Sequence, residues 1–144
     1  MEQFIFESSI GFVVNRTATS LKNELWRAFK SNGYNITPEH WAVLNCLWQK
    51  EAQTQSEIAE KIYKDKTNLT RILDIMERNE LIQRRSHETD RRSYRVFLTE
   101  KGQALKEKLI PIALEASQRS IKGLSGAECR EVIRLMNIIN DNLS

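Results

Sequence analysis

The chain has 144 residues, 40% of them hydrophobic and 28% charged, a length and balance that fit one compact unit able to bury a real core. It has no run of 18 apolar residues that would span a membrane, and its first residues, Met1 and Glu2, place an acid where a secretory signal carries positive charge, so a cytoplasmic protein is expected. The net charge of +3 names no partner by itself, but between Arg84 and Arg95 stand five arginines (Arg84, Arg85, Arg91, Arg92 and Arg95) against only Glu88 and Asp90.

Five glycines and two prolines point to a mainly helical chain with short connections. The first helix is expected from about Phe4 to Ser31, with Phe6, Ile10, Val14, Leu21 and Leu25 on one stripe. A second starts at Thr37, whose hydroxyl can cap it, with Pro38 in the first helical position, where no N–H is missed; Trp41, Leu44, Leu47 and Trp48 form its inner side. Thr54 and Glu57 stand at capping-box spacing before a short helix with Ile58, Ala59 and Ile62 inside. The next helix buries Leu69, Ile72, Leu73 and Met76, and at about 100° per residue its other face carries Thr67, Thr70, Arg71, Asp74 and Arg78.

The period then falls to two. Ile82, Arg84 and Ser86 alternate with Gln83 and Arg85, the turn-forming stretch "HETDRRS" follows, and Tyr94, Val96 and Leu98 alternate with Arg95 and Phe97, which reads as a hairpin. Thr99 restarts a helix with Leu105, Leu109, Ile112, Ala113 and Ala116 inside, in which Pro111 is expected to introduce a bend. Ser125 and Glu128 form a further capping box ahead of a last helix with the stripe Cys129, Val132, Met136, Ile139 and Leu143.

This order is a helix-turn-helix followed by a wing, and the residues resemble the MarR family of bacterial transcription regulators over nearly the whole chain. "TPEHWAVLNCL" resembles the family's second helix, "TQSEIAEKI" with "TNLTRILDIMERNELIQR" its helix-turn-helix, and Asp90, Arg92, Leu98, Thr99 and Gly102 its wing pattern D-x-R, five residues, L-T-x-x-G. One departure is Glu80, where the family usually has glycine to close the recognition helix in the left-handed conformation; Asn79 is expected to take that conformation instead, or the helix to end differently.

The expected fold is therefore mainly α with a small β-hairpin: a single domain over 1–144, with a winged helix-turn-helix DNA-binding region at about 37–99 and dimerisation helices at about 1–36 and 100–144. Thr67, Asn68, Thr70 and Arg71 stand near the start of the recognition helix, Arg71 suited to bidentate contact with guanine and the threonines to a thymine methyl or a phosphate. The resemblance implies Arg92 as the residue placed in the minor groove and Asp90 as the brace of the loop, while Arg84, Arg85, Arg91 and Arg95 would serve phosphates. The surplus apolar stripes of the terminal helices point to a homodimer, which would set two readers about one DNA turn apart on a pseudo-palindromic operator.

The expected function is a sequence-specific, double-stranded-DNA-binding repressor. The alternative reading is a winged-helix protein-interaction module without specific DNA binding. The resemblance also implies a small aromatic or phenolic effector; no motif marks its residues, although Phe12, Trp26, Tyr34 and Trp41 lie in helices that could line a cleft. No catalytic motif argues for an enzyme and none for a cofactor. His40, Cys46, His87 and Cys129 stand in separate elements without metal-ligand spacing, and the two cysteines read as structural thiols; the peroxide-sensing branch of the family carries its reactive cysteine near the start of the first helix, where this chain has none.

Overall fold

The computed structural model describes residues 3–62, 64–86 and 94–144. The described residues form six α-helices, α1 (Ile10–Ser31), α2 (Pro38–Gln49), α3 (Gln55–Ile62), α4 (Lys66–Arg78), α5 (Glu100–Ser120) and α6 (Gly126–Leu143), and a small antiparallel sheet of β1 (Gln53–Thr54), β2 (Ile82–Ser86) and β3 (Tyr94–Leu98). The strand order is β1-β3-β2, with Arg84 opposite Val96 on one side of β3 and Gln53 opposite the same Val96 on the other.

Local signals set most of the helix starts. The Thr37 hydroxyl accepts the His40 N–H at 3.0 Å while His40 Nδ1 accepts the Thr37 N–H at 3.4 Å, so a histidine completes the capping box more often closed by a carboxylate. Ser125 and Glu128 exchange the same pair of bonds ahead of α6. The first helix begins later than the sequence suggests: Phe6–Ser8 form a separate 3-10 turn, and Ser9 starts α1 because its hydroxyl accepts the Phe12 N–H. The ring of Phe6 then folds back on Phe12 at 4.6 Å between centroids.

The core gathers side chains from most elements, with α2 and α4 supplying the largest shares. Phe29 of α1, Leu44 and Leu47 of α2, Ile58 of α3, Leu69, Leu73 and Met76 of α4, Val96 of β3 and Leu109 of α5 are all fully enclosed, each worth roughly 1.5–3 kcal/mol over its exposed state. Trp41 and Trp48 seal its margin, with Phe29, Trp41 and Trp48 in successive ring contacts at 5.2 and 5.7 Å. The α5 helix continues through Pro111 as one element and packs along α1, where Arg119 reaches Glu24 at 3.0 Å. In contrast, α6 buries no residue.

Strand β1 escapes the sequence periodicity because it is two residues long. It is held by Gln53, a buried amide whose Nε2 donates to the carbonyl of Cys46 at 2.8 Å and also to that of Lys50. Burial beside it pushes the Cys46 thiol up from its ordinary range, in keeping with a structural rather than a reactive cysteine.

Candidate nucleic-acid interface

Helix α4 is fixed by its own first turn. Asp65 is its N-cap, accepting the Asn68 N–H on Oδ1 at 2.8 Å and the Asn68 side-chain amide on Oδ2 at 3.1 Å. Sequence reading missed Asp65, although an acid two residues ahead of Thr67 is a strong start signal. Leu69, Ile72, Leu73 and Met76 face the core, and Thr67, Asn68, Thr70 and Arg71 are exposed. The side chains of Thr67 and Arg71 make no hydrogen bond among the described residues. The Thr70 hydroxyl is already engaged: it donates to the Lys66 carbonyl at 2.8 Å and accepts from Gln55 of α3 at 3.0 Å, so it ties the two helices of the helix-turn-helix together.

The end of α4 corrects the expectation for Asn79. Asn79 remains at negative φ, and Glu80 takes the left-handed conformation with φ 63°. The Glu80 N–H returns to the Glu77 carbonyl and the Leu81 N–H to the Met76 carbonyl, both at 3.0 Å, the bonding of a Schellman closure, with Leu81 and Met76 both buried. That closure demands the turn one residue later than Asn79 could supply it. The Thr99 hydroxyl holds the Glu80 carbonyl at 2.6 Å, and the Thr99 N–H holds the Leu81 carbonyl at 3.1 Å. Thr99 also caps α5 through the Gly102 N–H at 3.1 Å, so the L-T-x-x-G motif joins the recognition helix, the wing and the long α5 at one point.

The hairpin arginines divide. Asp90, Arg91 and Arg92 lie outside the described residues. Arg84, expected on a phosphate, turns inward: its guanidinium pairs with Asp74 at 2.6 Å and Glu77 at 3.0 Å, and its backbone N–H donates to the other Glu77 oxygen at 2.8 Å. These bonds, backbone N–H first, hold the Glu77 carboxyl below the usual carboxylate range. Arg95 also turns to the protein, donating to the Ala52 carbonyl at 2.8 Å; Ala52 has φ 60°, so this bond steadies a strained corner before β1. Arg85 is exposed, its guanidinium over the Phe97 ring at 4.4 Å. Spacing alone gave no way to separate these roles, because alternation along a strand says which side chains share a face and not what that face meets.

Two concavities lie between the helices, and the second adjoins α4. One, of about 450 Å³, lies between α1, α2 and α5 and is lined mainly by Leu25, Trp41, Ile110, Ala113 and Leu114. The other, of about 510 Å³, runs between α1, α2 and α4, where Trp26, Ile72 and Ile75 meet the cations Lys22, Lys64 and Arg71. Burial holds His40, on its wall, below the ordinary imidazole pKa. Among the described residues no three His, Cys, Asp or Glu side chains converge as metal ligands, and no helix is long and apolar enough to cross a membrane.

Known proteins match this arrangement. The MarR family profile matches residues 36–94. The "Uncharacterized HTH-type transcriptional regulator YkoM" of Bacillus subtilis (strain 168) is 31% identical over 124 residues, 86% of this chain and 79% of that protein. The "Organic hydroperoxide resistance transcriptional regulator" of the same organism is 41% identical over 78 residues, 54% of this chain; the match spans only 53%, about half, of that relative's length. Among solved structures, that of Bordetella bronchiseptica BpsR, concerned with regulation of its DNA binding by 6-hydroxynicotinic acid, aligns with a TM-score of 0.88 over 97% of this chain and 99% of the other, at 21% identity.

Proposed function

This chain belongs to the MarR family of winged helix-turn-helix transcriptional regulators, and from that premise we propose that it is a cytoplasmic, homodimeric repressor that reads a pseudo-palindromic operator with α4. The observation that carries the reading is the division of α4 itself. Four apolar residues anchor it in the core, while Thr67, Asn68 and Arg71 stand exposed on its first turns, and β2 holds its later turns through Arg84. Arg71 has the reach and the two parallel donors to distinguish guanine, and Thr67 can meet a thymine methyl or a phosphate. By the family's wing pattern, Arg92 is the residue placed in the minor groove, Asp90 braces the loop and Arg91 serves a phosphate. No catalytic role is assigned.

Selection of bound sequences from random DNA tests the proposal. A site with two inverted halves about one helical turn apart is expected, with affinity falling steeply as salt rises. Weak, salt-indifferent binding to every pool would favour a protein-interaction module instead.

Control by a small aromatic acid fits the groove between α1, α2 and α4. Its apolar wall would take a ring, and Lys22, Lys64 and Arg71 would take a carboxylate. Because Arg71 belongs to both surfaces, ligand and operator would weaken one another by the same factor. Titrating candidate aromatic acids with and without operator DNA checks this; equal affinities in both titrations would exclude a compound as an effector.

A further inference from the structure

We propose that Arg84 is a positioning residue, a clamp that sets the wing against the recognition helix so that both enter their grooves together. The inference rests on α4 and the hairpin being the DNA-binding surface. Arg84 sits at the centre of β2, the outer strand of the sheet, and only Asn79, Glu80 and Leu81 separate that strand from α4. The turn at Glu80 anchors one end of the strand. Arg84 supplies a second anchor, two residues beyond Ile82, and two anchors fix a direction that one leaves free to pivot.

The clamp is complete on both sides. Glu77 accepts the Arg84 N–H on Oε2 and its guanidinium on Oε1, while Asp74, one turn earlier on α4, accepts the guanidinium on Oδ1. One nitrogen of the guanidinium, Nη2, therefore bridges consecutive turns of the helix, and the charge assists both bonds. The Arg84 side chain is 20% exposed against 48% for Asp74 and 39% for Glu77, so the cation is the most enclosed member and is turned towards α4 by two carboxylates.

Two other roles are conceivable for an arginine in this place, and both predict the sign opposite to the clamp's. If Arg84 served phosphates, removing Glu77 would release it and strengthen binding. If Arg84 only neutralised acids near the DNA, removing Glu77 would again help, by deleting a negative charge. A clamp makes the opposite demand: Glu77→Ala should weaken operator binding at least tenfold even though it makes the surface more positive. Arg84→Met should weaken it similarly, and the double variant should be no worse than the weaker single one.

The experiment measures operator affinity of the wild-type protein, Glu77→Ala, Arg84→Met, Arg84→Lys and the double variant across a salt series, with hydroxyl-radical footprinting of the minor groove. The expected result is a loss of wing protection in Glu77→Ala, Arg84→Met and the double variant, partial rescue by lysine, and a salt slope that falls equally in Glu77→Ala and Arg84→Met as the wing's phosphate contacts are lost together. Glu77→Ala binding as tightly as the wild type or more tightly, or a slope reduced by about 0.9 in Arg84→Met and unchanged in Glu77→Ala, as for a phosphate contact of Arg84 itself, overturns the clamp. Wild-type protein that binds no DNA overturns the reading beneath it as well, so the two failures are distinct.

Discussion

The carbonyl oxygen of Leu81 occupies the space that a side chain at Gly102 would need: a Cβ at that position would lie 2.2 Å from it. Leu81 leaves the recognition helix and Gly102 opens α5, so the absence of one methyl group lets the reader and the long helix touch backbone to backbone. Trp48 closes over the same point, its indole N–H donating to the Gly102 carbonyl at 3.1 Å. Gly102→Ala is therefore expected to destabilise the fold by roughly 1 to 3 kcal/mol, because the obstacle is backbone rather than a movable side chain. Urea unfolding of the two proteins measures the difference; an unchanged midpoint would contradict the close approach.

Glu80 should respond in the opposite direction. It holds φ 63° at a Schellman position where glycine is free of strain, and the bonds its backbone makes do not depend on its side chain. Glu80→Gly is expected to stabilise by about 1 kcal/mol. Glu80→Ala retains the Cβ and should bring no such gain, which makes the pair a test of the conformation rather than of charge.

The terminal helices can be tested without disturbing the core. Ile133 is 60% exposed on a helix with no buried residue, so Ile133→Asp should leave the single chain folded. If a second copy covers α6, sedimentation should show this variant shifted to monomer and operator affinity should fall with it. A variant that remains paired would place the interface elsewhere.

His40 gives the stability curve a feature near neutral pH. Its Nδ1 accepts the Thr37 N–H, which only an unprotonated nitrogen can do, and burial lowers its pKa from the ordinary 6.5. The unfolded chain takes up this proton first as pH falls below 6.5, so stability present above that value declines as pH drops towards the folded pKa. Glu77, whose pKa is lowered from 4.5, adds a separate loss in the more acidic range, below its unfolded value. His40→Gln should abolish the first decline and leave the second, as read by denaturant midpoints across pH.

Much of this was legible in the chain because the signals are local. Thr37 with Pro38, Ser125 with Glu128, and the 3.6-residue spacing of Leu69, Ile72, Leu73 and Met76 each specify their helix through neighbours a turn away. The L-T-x-x-G pattern was recognisable, but its reason, the Leu81 carbonyl against Gly102, depends on contact across 21 positions. The same limit hid the inward turn of Arg84 and Arg95. A basic strand residue has one appearance in sequence whether it meets phosphate, carboxylate or a strained carbonyl, and only the packing of α4 and β1 beside the sheet decides. Glu80 shows a third kind of shortfall: residue preference favoured Asn79 for the left-handed turn, and the placement of Leu81 in the core outweighed that preference.

An 18-residue helix that buries nothing within its own chain is marginal in water by itself. With a second copy as its cover, the ordering of α6 and the pairing of chains become one mass-action equilibrium, and the melting midpoint should climb as the protein is concentrated. At low abundance the paired form then grows as the square of the total. A doubling of expression would yield close to four times the active species, so occupancy of an operator would respond to synthesis more sharply than a monomeric reader allows.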